Sequence, residues 1–144
     1  MSSVALQANV SISSASFQER AEVQSNGEKK IVWVKASKVV PGTVIRYVNG
    51  LENSGDKAAE KLVINNPIPE NMEYVASTAK CKSGCSVVYS VDGGKTFNTP
   101  SDLFVGEGKE RHVAKASEYT NIRWVLDRLD AESKSSVEYK ARLK

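Results

Sequence analysis

The sequence has 144 residues, of which 40% are hydrophobic and 26% charged, and its formal net charge is +3. This length suits one domain that folds around its own core without a metal or several disulfides. The small net charge argues against nucleic acid or an anionic membrane surface as a partner, and no apolar run approaches the roughly 20 residues of a membrane-inserted helix.

The N-terminal segment alternates between an apolar and a mostly polar face, and no charge occurs before Glu19. The apolar positions are Val4, Leu6, Ala8, Val10 and Ile12. Because every second side chain of a strand points to the same side, this pattern predicts a strand with one apolar face, which is unfavourable when it is exposed to water. Such a strand either completes its own sandwich or inserts into a neighbouring subunit. The segment lacks the basic and apolar regions of a signal peptide, so we expect a leader to have been removed ahead of it.

Strand signals dominate the rest of the chain, as short β-branched or aromatic runs separated by Gly, Asn, Pro and Ser. They predict strands at Val4–Ile12, Phe17–Val23, Ile31–Ala36, Thr43–Leu51, Glu60–Asn65, Met72–Ser77, Ser86–Val91, Asn121–Leu126 and Val137–Leu143. Turns are predicted at Ser25–Gly27, Pro41–Gly42, Asn53–Gly55 (as a hairpin loop) and Asp92–Gly94. The one helix candidate is short, at Asp56–Lys61, and Asn98–Thr120 is predicted to be a long loop with a short strand or helical turn.

This succession of short strands predicts an all-β, antiparallel β-sandwich rather than a βαβ fold. We divide the chain into an N-terminal strand or arm, residues 1–24, and a sandwich domain, residues 25–144. Trp124 lies in register with Ile122 and Leu126 on a predicted strand, so it should face the core, with a role as a ligand platform as the alternative.

An ordered set of segments carries a family resemblance: Val39–Tyr47 with its Pro-Gly turn, Asn53–Gly55, Leu62–Pro69, Met72–Val75, Ile122–Trp124, Leu129 and a final alternating strand. It resembles the DUF11 repeat family of bacterial and archaeal surface proteins from about Val39 to the C-terminus. The resemblance implies an immunoglobulin-like sandwich with a structural or adhesive role and no catalysis. Asn66 stands where the family has an acidic residue, which argues against cation binding there, and only one copy of the normally tandem repeat is present.

Cys81 and Cys85 enclose Lys82-Ser83-Gly84, and the glycine allows a loop tight enough to join the two sulfurs. A disulfide here would be a local clip and would fit an oxidising compartment. The alternatives are reduced thiols, a redox pair, for which the spacing is not C-x-x-C, and a zinc site, for which the single His112 leaves the ligand set incomplete.

We find no sequence pattern for a catalytic, cofactor or metal site. His112 lies in a charged run without the signature of a Ser or Cys partner, and Gly93–Thr96 lacks the first glycine of a phosphate loop. The stretch Ser90-x-Asp92-x-Gly94-x-Thr96-Phe97 resembles the Asp-box of sialidase-type propellers, but a single copy indicates a well-formed hairpin rather than a glycosidase.

The sequence therefore leaves three hypotheses. The first is an exported extracellular, cell-surface or periplasmic structural module that assembles into an oligomer or filament through its N-terminal strand. The second is a monomeric spacer or adhesion domain with that strand in cis. The third, ranked last, is a thiol redox or metal-binding protein that uses Cys81 and Cys85.

Overall fold

Eleven strands are formed by residues 8–82 and 84–144, the part of the chain described by a computed structural model. In chain order they are β1 (Val10–Val23), β2 (Lys29–Lys35), β3 (Val44–Asn53), β4 (Ala59–Pro67), β5 (Met72–Tyr74), β6 (Lys80–Cys81), β7 (Cys85–Ser90), β8 (Phe104–Val105), β9 (His112–Val113), β10 (Asn121–Leu129) and β11 (Ser133–Leu143). The only helical segments among these residues are three single turns of 3₁₀ helix, at Pro100–Asp102, Gly108–Glu110 and Ala116–Glu118. None of them is long or apolar enough to cross a membrane.

Nine of the strands form two antiparallel sheets of unequal width, and the other two form a separate pair. In the large sheet the order is β2-β1-β3-β11-β5, and β6 also pairs with β11. The small sheet contains β4-β10-β7, and β8 pairs only with β9. The predicted all-β class, an antiparallel β-sandwich, is thus confirmed as two facing antiparallel sheets.

The core lies between β3, β11 and β5 on one side and the small sheet on the other. Trp124 on β10 is 0% exposed, which confirms its predicted inward direction, and its ring lies 6.0 Å from that of Tyr139 on β11. Tyr139 also stacks on Tyr47, at 5.0 Å between ring centroids, and Tyr74 contacts Tyr89 at 5.3 Å. Aromatic rings from both sheets therefore fill much of the interior.

Three local predictions are wrong. The predicted strands Val4–Ile12 and Phe17–Val23 are not separated, because β1 runs without a break from Val10 to Val23. The predicted hairpin at Asn53–Gly55 is a crossover, since β3 belongs to the large sheet and β4 to the small one. The helix candidate Asp56–Lys61 is instead a bend that leads into β4.

The predicted division of the chain at residue 24 falls in the turn of a hairpin. Residues Phe17–Val23 of β1 pair with Lys29–Lys35 of β2, and Gly27 in the turn between them has φ 86°. The other side of β1 pairs with β3. Residues 10–23 are therefore part of the large sheet.

Candidate functional site

The first half of β1 lies along β3 of the same chain. Nine pairs connect them, from Val10 opposite Asn53 to Gln18 opposite Ile45. Residues that are directly opposite in an antiparallel pair point to the same face of the sheet. Ile12 is opposite Leu51, so Ile12 points to the inner face, where the core lies.

This inner face is uncovered along part of β1. Leu51 is 2% exposed, whereas Ile12 next to it is 55% exposed. Ser14, the next inward position of β1, is also exposed. We call the surface formed by Ile12 and Ser14 the open face.

The cause of the open face is the difference in width between the two sheets. The Ser14 hydroxyl donates to Asn49 Oδ1 on β3 at 3.1 Å, and Asn49 Nδ2 donates to Asn66 Oδ1 on β4 at 2.7 Å. Strand β4, at the edge of the small sheet, therefore lies across from β3. No described strand of the small sheet lies beyond β4, so the inner side of β1 has no layer opposite it at Ile12 and Ser14.

Asn53 anchors the chain where it enters β1. Its fully buried side chain accepts hydrogen bonds from the backbone N–H groups of Asn9, at 3.1 Å, and Gly55, at 3.0 Å. Its amide donates to the carbonyls of Lys57, at 2.9 Å, and Leu129, at 3.1 Å. All four hydrogen bonds of this side chain are with backbone groups. The side chain therefore connects the start of β1 to the crossover between β3 and β4 and to the end of β10.

Of the predicted assembly residues, Val4 and Leu6 lie outside the described residues. Ala8 is exposed just before β1, and Val10 is partly buried against the core. Ile12 forms the open face. The structure thus keeps Val10 and Ile12 in one apolar register, as predicted, and shows them paired with β3 of their own chain.

The outer face of the large sheet carries aromatic rings covered by cations. Arg46 lies 5.9 Å from the centre of the Phe17 ring, and Lys140 lies 5.0 Å from that of Trp33. Arg46 also makes two hydrogen bonds to Glu138, at 2.6 and 3.0 Å, and this contact holds the pKa of the Glu138 carboxyl below its ordinary value. The contacts connect β1 and β2 to the centre of the sheet on the side away from the core.

The predicted disulfide between Cys81 and Cys85 is present. Cys81 ends β6, which pairs with the large sheet, and Cys85 begins β7 in the small sheet. The bond is short in sequence but joins the two sheets. Sequence spacing alone gave no sign of this, because it does not show that a chain changes sheets between two neighbouring strands.

The Asp-box resemblance corresponds to a closed loop after β7. The Asp92 carboxylate accepts hydrogen bonds from the Ser90 hydroxyl, at 2.6 Å, and from the backbone and hydroxyl of Thr96, at 3.0 and 2.6 Å. These bonds, that of Ser90 first, hold the pKa of Asp92 far below its usual range. Phe97 lies under Arg123, at 3.8 Å from the guanidinium carbon to the ring centre. Every one of these contacts closes the loop on itself or on β10.

His112 lies on β9 and contacts two acceptors. Its Nδ1 is 2.8 Å from the Glu110 carbonyl and its Nε2 is 3.1 Å from the Glu118 carboxylate, and these contacts, in that order, raise the pKa of His112. Among the described residues there is no group of three or more His, Cys, Asp or Glu side chains that could hold a metal ion.

Comparison of the chain with protein-family models, with curated proteins and with solved structures finds no match to any of them. The resemblance to the DUF11 family thus stays a prediction.

Proposed function

We propose that the protein is a non-catalytic structural module of an exported or cell-surface assembly, and that its copies link by β-strand addition through the N-terminal segment. The observation that carries this proposal is the open face. Ile12 is 55% exposed beside the buried core residue Leu51, so a cover over it would bury apolar surface. An added strand would supply that cover, with affinity from main-chain hydrogen bonds and register from alternate side chains.

Two further features support this role. The bond between Cys81 and Cys85 is of the kind that persists in oxidising compartments, which fits export. The strand that follows the N-terminal segment is also held firmly in its own sheet, because β1 makes nine pairs with β3 and seven with β2.

The test is the size of the protein in solution. Light scattering and electron microscopy should show oligomers or filaments of the wild type at neutral pH and high concentration. Leu6→Asp should remove them, because it puts a charge on the apolar side of the N-terminal segment. Gln7→Asp is the matched control, since the neighbouring position points to the opposite side. A wild type that stays monomeric would reject the proposal.

A monomeric spacer or adhesion domain is the second candidate. It is favoured by the anchoring of Asn9, whose N–H donates to Asn53 and whose carbonyl accepts from Ser54 N–H at 3.0 Å. In that case the wild type is monomeric, and Leu6→Asp leaves the molecular mass unchanged.

A further inference from the structure

The small sheet is one strand too narrow to cover β1. Its edge strand β4 lies across from β3 and has a free edge on the side of β1, and the open face of Ile12 and Ser14 lies next to that edge. One more strand beside β4 would extend the small sheet over β1. It would satisfy the outward backbone groups of β4 and cover Ile12 in a single step.

We infer that the missing strand is residues 3–7 of a second copy, added to the free edge of β4 so that Val4 and Leu6 lie on Ile12 and Ser14. This inference rests on the proposed function and names its acceptor. Val4 and Leu6 are two residues apart, as are Ile12 and Ser14, so both pairs have the same spacing of about 6.7 Å along a strand. Ser14 is small, which leaves room above it for a larger side chain.

The donor comes from another copy because the structure directs the chain away from its own open face. Asn9 continues the line of β1 beyond Val10, held by Asn53 and Ser54. Facing sheets are about 10 Å apart, and two residues span at most about 7 Å. Gln7 and Ala8 therefore cannot by themselves carry the chain back to the level of β4, and neither is a residue that favours a tight turn.

Donor and acceptor are different surfaces, so the contact is heterologous. Each copy would receive a strand beside β4 and give one from its N-terminus. Such head-to-tail contacts build an open filament unless the rotation between copies closes a ring.

The experiment compares two charges on one strand. Ile12→Asp changes the open face, and because Ile12 is exposed in the single chain, the domain itself should still fold, as circular dichroism would check. Ser13→Asp is the matched control, since Ser13 is exposed on the opposite face beside Gly50, which has no side chain. We expect Ile12→Asp to weaken association by at least about 100-fold and Ser13→Asp to change it by less than about threefold. Ile12→Ser, which removes only apolar contact, should fall between them.

Mixing two variants tests the direction of the linkage. Ile12→Asp loses its acceptor but keeps its donor, and Leu6→Asp loses its donor but keeps its acceptor. Each alone should be monomeric, and an equimolar mixture should give a dimer that grows no further. In assembled wild type, hydrogen exchange should show protection of the amides of β4 that is absent from Ile12→Asp.

The outcomes separate the two proposals. A wild type that assembles while Ile12→Asp assembles equally well, or while β4 stays unprotected, overturns this inference but leaves strand addition at another edge. A mixture of the two variants that stays monomeric overturns it as well. A monomeric wild type that Ile12→Asp destabilises would show that the segment covers its own open face, and then both proposals fail.

Discussion

The buried side chain of Asn53 allows the anchoring of β1 to be tested by mutation. Asn53→Ala removes four hydrogen bonds, those to Asn9, Gly55, Lys57 and Leu129. A typical bond of this kind contributes about 1 kcal/mol net, so the free energy of unfolding should fall by roughly 3–5 kcal/mol. Urea unfolding followed by circular dichroism measures this loss. Hydrogen exchange should also become faster at the amide of Asn9, which loses its acceptor.

Asn53→Asp separates the donors from the acceptors of this side chain. A carboxylate still accepts from the two N–H groups but meets two carbonyl oxygens where the amide donated. Burial against these carbonyls should raise the pKa of the introduced carboxyl in the folded state above its unfolded value of about 3.9. The folded form then binds the proton more tightly, so the deficit relative to wild type should shrink as the pH falls from 7 to 4.

The matched control for both variants is Asn65→Ala, since Asn65 is exposed on β4 and should cost less than about 1 kcal/mol. A loss as small as this for Asn53→Ala would refute the four-bond account. A deficit of Asn53→Asp that grows towards acid pH would refute it too.

Three further predictions concern the core, the disulfide and the Asp92 loop. Trp124→Ala should lower the free energy of unfolding, measured in urea, by about 3–5 kcal/mol, and a loss under about 1 kcal/mol would contradict the core position of Trp124. Trp124→Phe should lower it by clearly less, because the buried indole N–H makes no hydrogen bond that the substitution could remove. Protein from its native location should contain the bond between Cys81 and Cys85 by mass before and after reduction and alkylation, and two free thiols there would count against export. Asp92→Asn should speed hydrogen exchange at residues 95 and 96, whose N–H groups donate to the carboxylate, and unchanged exchange would show that the carboxylate does not hold the loop. Because the pKa of Asp92 is depressed on folding, the substitution should also remove a stabilisation that is present above about pH 4 and lost in stronger acid.

Periodicity made most strands of this fold predictable. Alternation along residues 121–126 and 137–143 identified β10 and β11, and it placed Trp124 in the core. The weak pattern of Asn98–Thr120 correctly indicated a long loop, which contains 3₁₀ turns and the short pair β8 and β9. Such signals are local, and a strand's own side chains decide them.

The sequence did not reveal which strands share a sheet. The residues Asn53–Gly55 indicate a reversal of the chain but not whether the next strand pairs with the last one or crosses to the other layer. The side chain of Asn53 bonds to Leu129, 76 positions away, and this contact has no local signature. Contacts outside the local pattern also explain why the predicted helix Asp56–Lys61 does not form. The Lys57 carbonyl accepts a hydrogen bond from Asn53, and Lys61 has a left-handed backbone with φ 50°, which an α-helix does not permit.

The open face was also beyond sequence reasoning. Alternation predicts that Ile12 shares a side with Val10, but the width of the opposite sheet decides whether that side is covered. The serines at positions 13, 14 and 16 resembled a break between two strands. In the structure they continue β1, because pairing with β3 supplies the backbone hydrogen bonds that their side chains do not favour.

The free edges of the described sheets differ in how they are protected. Besides β4, residues 10–15 of β1 have an unpaired side, because β2 pairs only with residues 17–23. A strand added there would extend the large sheet and would leave the inner side of Ile12 uncovered. Strand β2 carries Lys29, Lys30 and Lys35 along its edge, and charges of this kind discourage pairing with another strand. At the opposite end of the large sheet, β5 and β6 have three and two residues, too few to offer a long edge.

In the small sheet, β7 is closed at one end by its disulfide and at the other by two hydrogen bonds between Tyr89 and Asn98. On β4 the irregular backbone of Lys61 and the proline at position 67 lie near the two ends, and the five residues 62–66 between them carry no charge. That uncharged length matches the five residues 3–7 that we infer as its partner strand. Lys29, Lys30 and Lys35 would keep an arriving strand off β2, so the same sequence that leaves β4 open also reduces the number of wrong places where a neighbour could attach.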